Sequence, residues 1–309
     1  MSNQEIRGGV GRGILLAILA YGIWGFLPLF FLLLAPANAL EIVAWRILFS
    51  LVFCAILLTV TRGWQRFITL LKDRRVSLTL LAAGILILIN WLVYVYATTT
   101  NEVVQAALGY FTNPIVTVLL GVFVLRERLR KLQWVAIGIS AIAVLVIAIN
   151  YGAFPWIALA LAFSFGLYGL IKRRVGGRVD ALSGLTMETL WLAPIAIAQL
   201  VFVGMTTGLT IGNVSVGQTV SMALAGVVTA VPLLLFAAAA RRVPLTVIGL
   251  TQYLTPLIQF LIGVLLLGEA MPTARLIGFI LVWVALIILT IDVFRNSVRG
   301  RNRLVAVTN

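Results

Sequence analysis

Histidine is absent from this 309-residue chain, and cysteine occurs once. The first absence removes Ser-His and Cys-His catalysis, imidazole metal ligation and imidazole pH sensing together. The second leaves Cys54, set in an apolar run, without a partner for an intrachain disulfide. Acidic residues are scarce: nine Asp and Glu stand against 23 Lys and Arg. Charged residues make up 10% of the chain, where a soluble domain carries about 25%. No GxxxxGKS or GxxxxGKT phosphate loop is present. The segments between apolar runs are too short for a soluble catalytic or nucleotide-binding domain.

What is present is apolar. Hydrophobic residues make up 62% of the sequence, and mean hydropathy is +1.13. A helical crossing needs roughly 20 apolar residues. Ten runs meet that need: 13–34, 40–60, 77–97, 103–125, 132–149, 154–171, 184–203, 218–240, 245–267 and 274–293. The expected fold is all-α and polytopic, with ten transmembrane helices. Of the 23 Lys and Arg, 21 fall in alternate connections: the N-terminal segment, the connections after runs two, four, six and eight, and the C-terminal segment. The exceptions are Arg46, inside run two, and Arg275, at the start of run ten. Basic connections stay on the cytoplasmic side, so both termini are expected there, in a bacterial inner membrane. The net charge of +14 is then a topology signal, and no nucleic-acid partner is expected. The first run, about 22 residues, exceeds a signal-peptide core of 7–15 residues and is read as retained.

Residues 106–127, AALGYFTNPIVTVLLGVFVLRE, return at 248–269 as IGLTQYLTPLIQFLIGVLLLGE. The offset is 142 residues without a gap, and 7 of 22 positions are identical, including Pro114/Pro256, Gly121/Gly263 and Glu127/Glu269. Composition alone rarely gives that proline–glycine–glutamate spacing. A second echo, Gly22–Gly25 against Gly166–Gly169, extends the duplication. The chain is read as two five-helix units, 1–150 and 151–309. Five is odd, so the second unit must be inverted. Inverted repeats characterise secondary transporters, whose site lies near the midplane between repeats.

Polar residues inside the runs mark where such a site would be, because ionisable and amide groups at membrane depth face protein or water. Arg46, Asn90, Trp91, Tyr94, Tyr110, Asn113, Gln252 and Tyr253 are the candidate substrate-binding residues. Glu41, Glu188, Pro114 and Pro256 are candidates for coupling or gating: the glutamates as intramembrane acids, the prolines as mid-run hinges or kinks. Trp91 and Tyr94 also suit an interfacial aromatic belt. Glu127 and Glu269, at run ends, suit structural or gate contacts. Glu41 lies five residues from Arg46, about 500° around a helix, so the two do not share a face.

The runs LGYFTNP (108–114), RERLRKLQW (126–134), LAFSFGLYGLIKR (161–173), METLWLAP (187–194), GVVTAVPLL (226–234) and QYLTP (252–256) resemble the RarD-type proteins. Those belong to the EamA family of the drug/metabolite transporter superfamily. The resemblance spans nearly the whole chain. It departs at Trp45, where the pattern more often has His. It implies a ten-helix carrier of two inverted repeats, linked by family name with chloramphenicol. Residues and resemblance together lead to the expectation of a non-enzymatic secondary transporter that exports small organic metabolites or drugs by alternating access. Its expected partners are a small-molecule substrate and lipid, with no cofactor or metal. The competing readings are a channel or passive scaffold, and a lipid-modifying membrane enzyme.

Overall fold

The computed structural model describes residues 3–99, 103–151 and 156–266 and isolated positions from 273 to 291, with Pro114 among those described by backbone alone. The tenth run is described only in scattered positions, and Glu269 and Arg275 lie outside the described residues. The described elements are α-helical: α1 (Asn3–Leu32), α2 (Ala39–Val60), α3 (Trp64–Lys72), α4 (Arg74–Thr99), α5 (Val103–Leu125), α6 (Lys131–Tyr151), α7 (Trp156–Val175), α8 (Ala181–Thr206), α9 (Val216–Ala240), α10 (Leu245–Thr251) and α11 (Leu254–Leu261). A π-helical turn, Ile262–Leu266, follows α11. Six helices are long and apolar enough to cross a membrane among the described residues: α1, α2, α4, α7, α8 and α9.

Short polar side chains set the helix starts by receiving backbone N–H groups that have no partner in a first turn. Asn38 Oδ1 accepts from Glu41 N at 2.9 Å, Asp180 Oδ1 from Ser183 N at 2.9 Å and Ser215 Oγ from Gln218 N at 3.0 Å. Large apolar side chains such as Val52, Phe123, Ile142, Ile197 and Phe202 point outward, as a lipid-facing surface requires. The core gathers Tyr21, Ile47, Cys54, Trp91, Tyr168 and Phe236.

The ends of the bundle differ chemically. At one end Arg66 pairs with Asp180 at 3.2 Å, and Arg241 Nε donates to the Gly176 carbonyl at 2.6 Å. There too Leu245 N donates to Glu127 Oε1 at 2.8 Å. The basic connections after α2, α5, α7 and α9 therefore meet on one face. At the other end Glu41 Oε1 accepts from Thr210 N and Ile211 N at 2.8 and 3.2 Å, and Asn38 Nδ2 donates to Thr207 Oγ1 at 3.2 Å. The segments meeting there, 34–41 and 207–218, contain no Lys or Arg. It follows that α1 starts at the basic end whereas α7 finishes there.

The most extensive helix contacts pair α5 with α7, α2 with α8 and α9, α4 with α7, and α1 with α9. Early and late helices interleave. Close approach depends on glycine: a Cβ on Gly226 of α9 would lie 2.4 Å from the Phe49 carbonyl carbon of α2.

Two local features differ from the hydropathy reading. The connection after run two holds α3, whose Phe67 is buried. The ninth run is not one helix, because α10 ends and α11 begins at Gln252 and Tyr253. Pro256 explains the break. It has no N–H for the Gln252 carbonyl one turn back, and that carbonyl accepts from Thr255 N at 3.2 Å instead. Helix α5 continues through Pro114, and α1, α8 and α9 continue through Pro28, Pro194 and Pro232.

Candidate functional site

One cavity lies where α1, α2, α4, α5, α7, α9 and the α10–α11 break converge. It offers about 80 Å³ to the centres of water-sized spheres. Seven of its wall residues are aromatic: Tyr21, Trp24 and Phe31 of α1, Trp91 and Tyr94 of α4, Tyr110 of α5 and Phe165 of α7. Trp24 and Phe165 meet edge to face with centroids 5.5 Å apart, as do Tyr94 and Tyr110 at 5.4 Å.

Arg46 is the cation of this cavity. It is 4% exposed, and among the described residues no carboxylate comes within ion-pairing distance. Its Nε donates to Thr229 Oγ1 of α9 at 2.8 Å. Its guanidinium carbon lies 4.7 Å from the ring centre of Trp91 and 5.4 Å from that of Phe31. Such ring contacts are worth roughly 0.5–2 kcal/mol each, against about 2.5–3.5 kcal/mol for an arginine at a helix centre. Rings and one hydroxyl therefore hold the charge in place of an acid.

Asn90 Nδ2 donates to the Leu161 carbonyl and to Ser164 Oγ of α7, both at 3.0 Å. It joins α4 to α7 while lining the cavity. Asn113, Gln252, Thr255 and Gln259 add polar groups from α5 and from the region of the break. The Tyr21 hydroxyl approaches Gln252 without closing a hydrogen bond.

The cavity thus brings together Arg46, Asn90, Trp91, Tyr94, Tyr110, Asn113, Gln252 and Pro256. Trp91 and Tyr94 line its wall. Tyr253 does not reach it. The side chain is 2% exposed and faces Ser140 of α6, because adjacent residues in a helical stretch point about 100° apart. Trp45 stacks on Phe49 with centroids 5.2 Å apart, also off the cavity. The Pro114 side chain lies outside the described residues.

Neither glutamate candidate lines the cavity. Glu41 clamps the α8–α9 connection at the non-basic end. Glu188 is 1% exposed, ion-paired with Lys172 and bonded to the Tyr168 hydroxyl at 3.2 Å. Lys172 corrects the charge count, which had assigned it to a cytoplasmic connection and left Arg46 as the one cation well inside a run. Lys172 belongs to the last turn of α7 and is 4% exposed.

Sequence reasoning also passed over Tyr21, Trp24, Phe31, Phe165, Thr229 and Gln259 as cavity residues. Trp24 lies in the Gly22–Gly25 echo, a signal that pointed to the right stretch. Phe165 and Thr229 lie in the resembling runs 161–173 and 226–234, and Gln259 in the repeated stretch 248–269; Tyr21 and Phe31 carry no signal beyond composition.

The pattern of the EamA-like transporter family matches this chain twice, over residues 11–149 and 154–291. The chain belongs to that family. Among EamA relatives it is 46% identical to Protein RarD of Streptomyces exfoliatus, covering 95% of this chain and 93% of the relative. It is 42% identical to the uncharacterized transporter YojE of Bacillus subtilis, covering 90% and 93%. A solved crystal structure at 16% identity covers 90% of this chain and 98% of its own, with a TM-score of 0.65. That last likeness concerns the fold alone. This EamA chain is a multi-pass helical membrane protein with bacterial relatives named as transporters.

Proposed function

We propose that this protein is a secondary carrier that exports small organic molecules across a bacterial inner membrane by alternating access. The observation that carries the reading is the cavity itself. Helices from before and after residue 151 enclose it, around one uncompensated arginine and beside a broken helix. Substrate and coupling sites at unwound helices between repeats are the transporter arrangement. The two family matches and the opposite courses of α1 and α7 support ten crossings built as two inverted five-helix units, 1–150 and 151–309. The clustered basic connections support cytoplasmic termini.

In this mechanism the ends of the bundle part in turn. Glu41 ties the α8–α9 connection across one end, and Glu127 ties the start of α10 across the other. Each is a contact that opening at its end must break. Pro256 gives α10 and α11 a joint to move about.

The test is counterflow in proteoliposomes with a panel of metabolites that includes chloramphenicol. A carrier shows saturable, trans-stimulated exchange. Non-saturating flux without counterflow replaces the carrier with a channel. Orientation is read separately on a Cys54→Ala background. Cysteine at Arg66 or Arg178 should resist an impermeant outside thiol reagent, and cysteine at Gly212 should react. Labelling of Arg66→Cys from outside intact cells reverses the orientation.

A further inference from the structure

We infer that the cavity is selective for organic anions: its substrate carries a carboxylate, or an equivalent planar oxyanion, on a compact aromatic body. This rests on the carrier reading and names the substrate class of the same site. The observations concern charge first. Arg46 is the one ionised side chain on the wall, since no Asp, Glu or Lys lines the cavity among the described residues. An ammonium substrate would meet a cation and no counter-charge.

Geometry narrows the anion. Thr229 takes the Nε hydrogen of Arg46. The forked guanidinium then has its Nη1 and Nη2 edge left, since no acceptor among the described residues bonds to it. Two parallel N–H donors on that edge match the two oxygens of a carboxylate. Lysine offers the same charge without that fork. Trp91 and Phe31 fix the guanidinium at 4.7 and 5.4 Å from their ring centres, so the fork is held before a ligand arrives. Such preorganisation lowers the cost of binding.

Size and wall chemistry narrow the body. A water needs roughly 10–15 Å³ of such volume, so about 80 Å³ holds on the order of five to eight waters' worth of ligand. That is the scale of a single ring with a short acid arm. The aromatic walls accept the ring by edge and stacked contacts. Asn113 of α5 and Gln252 at the α10–α11 break offer neutral polar contacts to a ring substituent.

Three compounds on one skeleton separate the charge classes: 3-phenylpropanoate (anion), phenylalanine (zwitterion) and 2-phenylethylamine (cation). Titration calorimetry on the full chain in detergent should show the anion binding, and phenylalanine about tenfold weaker or worse. The amine should show no measurable heat. Charge-assisted hydrogen bonds of about 1.5–3 kcal/mol set the expected loss on Arg46→Gln, about tenfold to a hundredfold for the anion. Arg46→Lys should recover little of it. Melting curves check that both variants are folded. If they are not, the wild-type series alone decides. Amine binding as tight as the anion's overturns the inference, as does equal binding of phenylalanine, binding of none of the three, or unchanged anion binding by folded Arg46→Gln. Counterflow distinguishes this failure from that of the carrier. Protein-dependent exchange of the amine removes the anion site and keeps the carrier. Anion binding without exchange removes the carrier and keeps the site.

Discussion

Among the described residues the molecule buries two cations, and they could hardly be treated more differently. Lys172 meets Glu188, which also receives the Tyr168 hydroxyl, and the group lies off the cavity. Arg46 meets two rings and a threonine, and it faces the cavity. A buried ion pair holds its helices in place because neither charge can be left alone. A buried ion without a counter-charge has instead an unfilled demand, and a ligand can fill it. Both residues are 4% exposed, so their partners, and not their burial, set them apart.

The largest expected effect attacks the paired cation. Lys172→Met leaves the Glu188 carboxylate buried and uncompensated, and should cost roughly 3–5 kcal/mol of stability. Thermal melts in detergent read this. The double variant Lys172→Met/Glu188→Leu should recover most of the loss, because two apolar residues can replace a buried pair. A double variant no more stable than the single one would mean that the pair does more than hold α7 against α8.

Next is the hydroxyl that completes the pair. Tyr168→Phe removes one hydrogen bond to a carboxylate while keeping the ring stacked on Phe236, whose centroid is 5.8 Å away. A loss of about 1.5 kcal/mol is expected, with cavity ligand binding unchanged. If binding falls as well, the pair and the cavity are not separate.

Arg46 should give the opposite profile. Arg46→Gln removes a charge that no acid among the described residues balances, so its melting temperature should hold or rise slightly while transport is lost. A collapse in stability with transport retained would make Arg46 a packing residue after all. The smallest effect belongs to the shielding. Phe31→Leu takes away the more distant ring and should weaken Arg46-dependent binding by about 0.5–1 kcal/mol, with Trp91→Leu somewhat larger. Equal and negligible effects from both would show that the rings do not hold the guanidinium.

How far this could be read from sequence follows the same physics. Arg46, Asn90, Tyr110, Asn113 and Gln252 are polar groups in apolar runs, and few places in a membrane bundle can hold them. Lys172 is equally buried but was miscounted, because a cation in the last turn of a helix is indistinguishable by spacing from one in the following connection. Tyr253 was placed in the cavity by its neighbour Gln252, although helical geometry turns consecutive residues to different faces. Tyr21, Trp24, Phe31 and Phe165 form much of the wall, yet aromatic residues in apolar helices are too ordinary to stand out. Helix α3 escaped the hydropathy reading because Arg66 and Lys72 hide a buried Phe67. The break in the ninth run follows from Pro256, but it falls one turn earlier, at the carbonyl left without its donor.

The interleaving of early and late helices has a consequence for how the protein is made. Arg46 and Thr229 are 183 residues apart, Ser50 and Gly226 are 176 apart, and Tyr21 and Thr255 are 234 apart. At about 5–20 residues per second of synthesis, Arg46 waits roughly ten to forty seconds in the nascent chain before Thr229 exists. For most of that time α2 has neither α8 nor α9 to lie against, and Gly226 has not yet opened the space for Phe49. The first helices must therefore persist in the bilayer as a loose, incompletely paired set, and ribosomes stalled before α9 should yield a bundle that proteases still cut.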